Sequence, residues 1–152
     1  MTANRFDIPL SVLAERAKKD MHTVARMAMM EVMGRIVQLS PVGNTDRWKR
    51  PVKGYVGGRF KNNWYASINV ESTATSERID ASGSASLEQV KLAGTLPLGG
   101  VIYFTNSLPY AYRLEFEGWS KAAPAGMIRK AAGEFADAVE AAVARGKKGE
   151  EQ

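Results

Sequence analysis

The chain has 152 residues and a mass of 16.6 kDa, with no cysteine, one histidine and a formal net charge of +5. That length fits one domain with its own core and no metal or disulfide staple. The missing cysteine excludes a disulfide framework, a thiol nucleophile and a thiolate metal site, while 45% apolar and 24% charged residues match a folded globular chain rather than a disordered one.

Taken in chain order, the first sixteen residues have no long apolar run, so no signal peptide is expected. A long helix is predicted over Ile8–Leu39. Asp7 is its N-cap, Pro9 sits in its first turn, and Pro41 disfavours helix at Ser40. Apolar or small residues recur in steps of three and four at Leu10, Leu13, Ala17, Met21, Val24, Ala28, Val32, Ile36 and Leu39. At 1.5 Å per residue such a helix is about 48 Å long, which is long for so small a domain. From Met21 onward it is apolar on most sides. It carries Met21, Met27, Met29, Met30 and Met33, five of the seven methionines. Polarizable, flexible methionines suit adaptable contacts, so these five are read as a subunit interface, against the alternative of a fully enclosed core helix. On that reading Met29→Asp damages assembly more than folding. The stretch Val24–Met33 is broken by Arg26 and Glu31 and is too short to cross a bilayer.

The charge is unevenly placed. Residues 47–61 hold Arg47, Lys49, Arg50, Lys53, Arg59 and Lys61 and no acid, interleaved with Trp48, Tyr55 and Phe60. Without those six cations the remaining 15 basic and 16 acidic residues leave a net charge of −1. The segment, which turns at Gly57-Gly58 if it forms a hairpin, has three readings. It contacts nucleic acid through phosphates and stacked bases, it docks on an acidic protein surface or lines a channel, or it is a solvated loop with aromatic anchors. Its candidate contact residues are Arg47, Trp48, Lys49, Arg50, Lys53, Tyr55, Arg59 and Lys61.

Asn63–Glu71 alternates aromatic or branched residues with small polar ones and predicts a strand. Residues 72–98 are rich in Ser, Thr, Ala and Gly and read as a variable excursion with one helical turn near Ser86–Leu92. Gly100–Asn106 predicts a second strand, and Leu108–Phe116 a short helix or a turn out of the sheet. The last helix starts near Pro124, with Met127, Ile128, Ala131, Phe135, Ala138, Val139, Ala142 and Val143 on its apolar face. Arg145 complements its dipole and Gly146 is its stop. The expected fold is α+β: a small antiparallel sheet packed by a long N-terminal helix and a C-terminal helix, with an extended basic loop or hairpin. One domain covers residues 1–146, with a basic arm at 43–61, and a polar tail follows at 147–152. Trp64, Tyr103, Leu114, Phe135 and Val139 are expected in the core.

The polar residues assemble no reaction centre. His22 stands alone on its helix without a nucleophile or an orienting acid. In a strand Glu115 and Glu117 would share a face suited to paired acid/base work, but they read more simply as wet-side acids around Leu114 and Phe116. The expectation is no enzyme, no cofactor and no metal.

The stretch Gly99–Phe135 resembles the signature half of a tailed-phage virion family. These are the neck or tail-completion proteins of lambda-like long-tailed bacteriophages, often labelled minor tail components. Ser40-Pro41-Val42 matches the family's turn after its first helix, and Arg59-Phe60 through Asn63-Trp64 matches its strand start. Thr105-Asn106, Leu108-Pro109-Tyr110 and Leu114-Glu115 match its middle motif. Ser120-Lys121 and Ala123-Pro124-Ala125-Gly126-Met127 match the opening of its last helix. The family usually runs from Ser-Pro-Val almost directly to Thr-Gly-Arg. Here Gly43–Gly58 intervenes, so the basic arm is an elaboration whose role does not carry over. The resemblance implies a virion protein, present in the host cytoplasm during assembly. It implies a ring homo-oligomer, commonly a hexamer, that joins a head-completion or stopper protein to a tail terminator or tail tube protein, with non-specific contact to passing DNA and no membrane. The competing expectation is a small basic nucleic-acid-binding protein.

Overall fold

The computed structural model describes residues 10–44, 49–50, 53, 56–135, 137, 140–141, 144–145 and 148. The first helix, α1, runs over Leu10–Leu39. A 3-10 turn at Phe60–Asn62 leads into strand β1, Trp64–Ile68, and then come helix α2, Ser84–Ala93, strand β2, Ile102–Asn106, helix α3, Ala111–Phe116, and helix α4, Ile128–Gly133. The two strands form one antiparallel sheet in which Ala66 faces Phe104. This is the α+β arrangement the sequence predicts.

Both strands are rich in β-branched and aromatic residues, which pack well on a pleated surface. Trp64 and Phe104 point to the helices and stack with ring centroids 5.4 Å apart. Phe60 meets Trp64 edge-on at 5.9 Å. Met33, Ile36 and Val37 of α1, Val90 and Ala93 of α2, and Leu108, Met127 and Ala131 complete this core. Burial thus falls on the C-terminal half of α1. Every side chain described from Ser11 to Thr23 is exposed, so the helix projects from the body by about 20 Å.

Backbone ends are closed by side chains from elsewhere in the chain. Helix α2 opens on Gly83, which offers no side chain to cap it. The Asn62 side-chain oxygen instead accepts the Ala85 N–H at 3.1 Å, and the Asp80 carboxylate accepts the Ser84 N–H. Asn62 also donates to the Gly58 and Asp80 carbonyls, and Asn63 clamps Arg59 and Ser76. Both asparagines are buried. The ten-residue α2 replaces the single turn expected near Ser86–Leu92; its start is held by Asp80 four residues before it and by the remote Asn62.

Asp80 accepts hydrogen bonds from the Ser84 hydroxyl first, and from the Ser82 amide and hydroxyl. They hold its carboxyl far below the usual carboxylate range. The bidentate contact with Arg35 likewise lowers Glu134. A carboxyl depressed in the folded state contributes stability above its unfolded value of about 4, and loses it as pH falls further. Urea midpoints are therefore expected to fall from pH 5 to pH 2. Asp80→Asn, which cannot titrate, should show a shallower decline; an equal decline would show that Asp80 contributes nothing to it.

Candidate assembly interface

The run Thr105–Met127 that carries the family resemblance folds as one interlocked unit. At the end of β2, the Asn106 side chain donates to the Phe60 carbonyl at 2.9 Å and accepts the Leu108 N–H. This turns the chain inward, so that Leu108 is buried before Pro109 and Tyr110 lead into α3. The helix places Glu115 under the start of α4. Its carboxylate accepts the N–H groups of Met127, Ile128 and Arg129 at 2.7, 3.0 and 3.0 Å. The Arg129 side chain also bonds the Glu115 carboxylate and carbonyl. Gly126 makes room: its φ is 80°, and a β-carbon there would lie 2.6 Å from the Glu115 carbonyl oxygen.

Glu115 is 4% exposed, which corrects its reading as a wet-side acid beside Glu117. The segment is a short helix, one of the two forms expected for Leu108–Phe116, so the two glutamates point apart, and Phe116 rather than Glu115 faces solvent. One signal in the sequence pointed this way. Ala123–Ile128 has no Ser, Thr, Asp or Asn to cap the helix it opens. Its free amides require an acceptor from another element.

Beside this unit lies an exposed aromatic and arginine cluster. Tyr112 and Phe116 pack at 4.9 Å, the Arg129 guanidinium lies 5.2 Å from the Phe116 ring, and Arg113 lies 4.4 Å from Trp119. Tyr112, Phe116 and Trp119 are each more than half exposed. Phe135 is also 50% exposed, contrary to its expected place in the core. Ala131 of α4 and Glu134 just past its end lie towards α1, whereas Phe135 follows that turn with its side chain in solvent. Tyr103 and Leu114 are half-buried, Tyr103 because it lies on the sheet face away from the helices. Val139 lies outside the described residues. So does the expected stop at Gly146, although Lys148 beyond it is helical.

The basic arm divides in two. Arg59 belongs to the body, bonding Glu77 at 2.7 Å and the Ser76 carbonyl. Lys61 is half-buried against Gly83. Lys49, Arg50 and Lys53 are exposed, while Arg47, Trp48 and Tyr55 lie outside the described residues. Gly57 and Gly58 are not a hairpin tip. A β-carbon on Gly57 would lie 2.8 Å from the Gly43 nitrogen, and one on Gly58 2.7 Å from the Asp80 carbonyl carbon. The two ends of the arm therefore meet at the body, with Gly57 required for the close approach.

The methionines also divide. Met33 is inside the chain's own core, Met29 and Met30 pack partly buried against it, Met27 is half-buried, and Met21 is 72% exposed. Helices α2 and α4 occupy the sides of α1 that looked free in the sequence. Met29→Asp therefore strikes the subunit's own packing. The substitution that separates assembly from folding is Met21→Asp. Its unfolding free energy should stay within about 0.5 kcal/mol of the parent chain, while any assembly through the projecting half-helix is lost; denaturation and light scattering read the two effects.

Between α1 and the C-terminal helix lies a shallow groove of about 210 Å³ lined by Glu31, Arg35, Ala131, Glu134, Asp137 and Ala141. Its charges are largely engaged: Arg35 with Glu134, and Glu31 with Arg145 at 2.7 Å. Among the described residues no group of acids and histidines is placed to hold a metal ion, and no helix is long and apolar enough to cross a membrane. No known family, curated protein or solved structure matches the chain.

Proposed function

We propose that the chain is a structural virion protein of a tailed phage. It forms a ring, hexameric by the resemblance, at the head–tail junction, and joins a connector or stopper above to a tail terminator and tube below. The reading is supported by one observation above all. The positions that carry the resemblance, Asn106, Leu108, Glu115, Ala123, Gly126 and Met127, are those that lock β2, α3 and α4 into one unit. The exposed Tyr112, Phe116, Trp119 and Arg113 beside that unit are the residue types that dominate protein contact energies. Repeating one such contact round an axis closes a ring with no unpaired end. The role is architectural and calls for no catalysis and no cofactor. The test is the protein composition of purified phage particles: the chain should be present at a few copies per particle, and its absence would overturn the reading.

A second reading rests on Lys49, Arg50 and Lys53, exposed on a loop whose ends meet at Gly43 and Gly57. A small nucleic-acid-binding protein would bind DNA through such cations, with log affinity falling linearly in log salt. Neutralising the three residues should then flatten that slope. Saturable binding by an isolated monomer absent from particles would favour this reading over the first.

A further inference from the structure

The two edges of the sheet are treated differently. In an antiparallel pair, successive residues point their N–H and C=O groups alternately to the partner strand and away from it. On β1 the outward N–H groups belong to Trp64, Ala66 and Ile68, and α2 satisfies the first two: the Ser86 hydroxyl accepts that of Trp64 at 3.0 Å and the Gln89 side-chain oxygen that of Ala66 at 3.1 Å. Given the register, the outward groups of β2 belong to Ile102, Phe104 and Asn106. No backbone or side-chain group among the described residues bonds these outward N–H and C=O groups.

The edge is also undefended. From Gly99 to Ser107 there is no charge and no proline, the devices that normally keep an open edge from pairing. Val101 at its start is 57% exposed, beside Val70 at 73%. A two-stranded sheet is marginal by itself and gains from further strands. Since α2 covers the β1 edge, a second copy of this chain can present only one open edge from its own sheet, that of β2.

We propose that β2 pairs with β2 of a second copy, antiparallel about a two-fold axis at Phe104. This register opposes Phe104 to itself and Ile102 to Asn106, and it matches each outward N–H with an outward C=O. It brings no like charges together, although each copy carries +5. The product is a continuous four-stranded sheet running β1, β2, β2, β1. The contact is isologous and does not depend on the ring reading, in which neighbours meet head to tail.

The absence of native cysteine allows a direct test of register. The pairing places Tyr103 opposite Thr105 of the second copy, on the sheet face away from the core. Their Cα atoms would be about 4.5 Å apart, inside the disulfide range. Tyr103→Cys and Thr105→Cys are prepared separately, mixed under mild oxidation and run on a non-reducing gel. The mixture should give a covalent dimer several-fold more abundant than either variant alone. Ile102→Pro, which removes an outward N–H that β1 does not use, should shift sedimentation of the otherwise unsubstituted chain from dimer to monomer with circular dichroism unchanged. A mixture that stays monomeric, cross-linking that is equal in the single variants, or a dimer that survives Ile102→Pro overturns the pairing. None of these results bears on whether the chain is found in particles, so the ring reading is judged separately.

Discussion

Glu115→Ala is expected to lower the unfolding free energy by about 2–4 kcal/mol, enough to remove much of a small domain's stability. Three backbone amides at the start of α4 converge on this carboxylate, with the Arg129 guanidinium beside them. The carboxylate and the Met127 amide are buried, so that donor is left without an acceptor at about 1–3 kcal/mol, while the part-buried amides of Ile128 and Arg129 lose less because water reaches them. Arg129 would in addition lose its counter-charge. Glu115→Gln keeps one carbonyl oxygen but turns an NH2 group towards donors, so it should recover only part of the loss. Urea denaturation reads the free energies, and amide exchange at Met127, Ile128 and Arg129 reads the cap itself. A loss below about 1 kcal/mol would place Glu115 with ordinary surface acids.

Trp64→Ala should cost about 3–5 kcal/mol, the range for removing a large aromatic from a packed core. Trp64 is 2% exposed, stacked on Phe104 and met edge-on by Phe60. Its Nε1–H donates to the Ser40 hydroxyl at 2.8 Å, and that hydroxyl donates in turn to the Ile36 carbonyl. The residue therefore ties β1 to the last turn of α1. Trp64→Phe keeps the stacking surface and leaves Ser40 bonded to Ile36, so its cost should be about 1–2 kcal/mol. If the two substitutions cost the same, the indole hydrogen bond rather than the aromatic packing would be the main contribution.

Periodicity made the main elements legible. The three-and-four spacing from Leu10 to Leu39 and the alternation in WYASI and IYFTN reflect which side of each element meets the core. What periodicity cannot convey is how much of an element the rest of the chain reaches. The Met-rich half of α1 is covered by α2 and α4, whereas the described side chains of its first turns are exposed, so Met33 and Met21 have opposite surroundings on one helix. The caps were hidden for a related reason. Asn62 and Glu115 each serve a helix that starts a dozen or more residues later, and for α4 only the lack of a local capping residue marks the need. The open β2 edge was invisible because it depends on which strand α2 covers. The arm was legible as charge, and its structural meaning comes from the approach of Gly57 to Gly43, which returns the chain to the body on the far side of its exposed cations Lys49, Arg50 and Lys53.

The proposed assembly role is tested most directly by electron microscopy of the necks of purified particles. A closed ring of copies of this chain between the head and the tail tube is the expected result, with the body resolved and the cations of the arm directed to a neighbouring ring or to the bore. Necks complete without this chain, together with a purified protein that stays at 16.6 kDa at every concentration and binds no neck component, would contradict it.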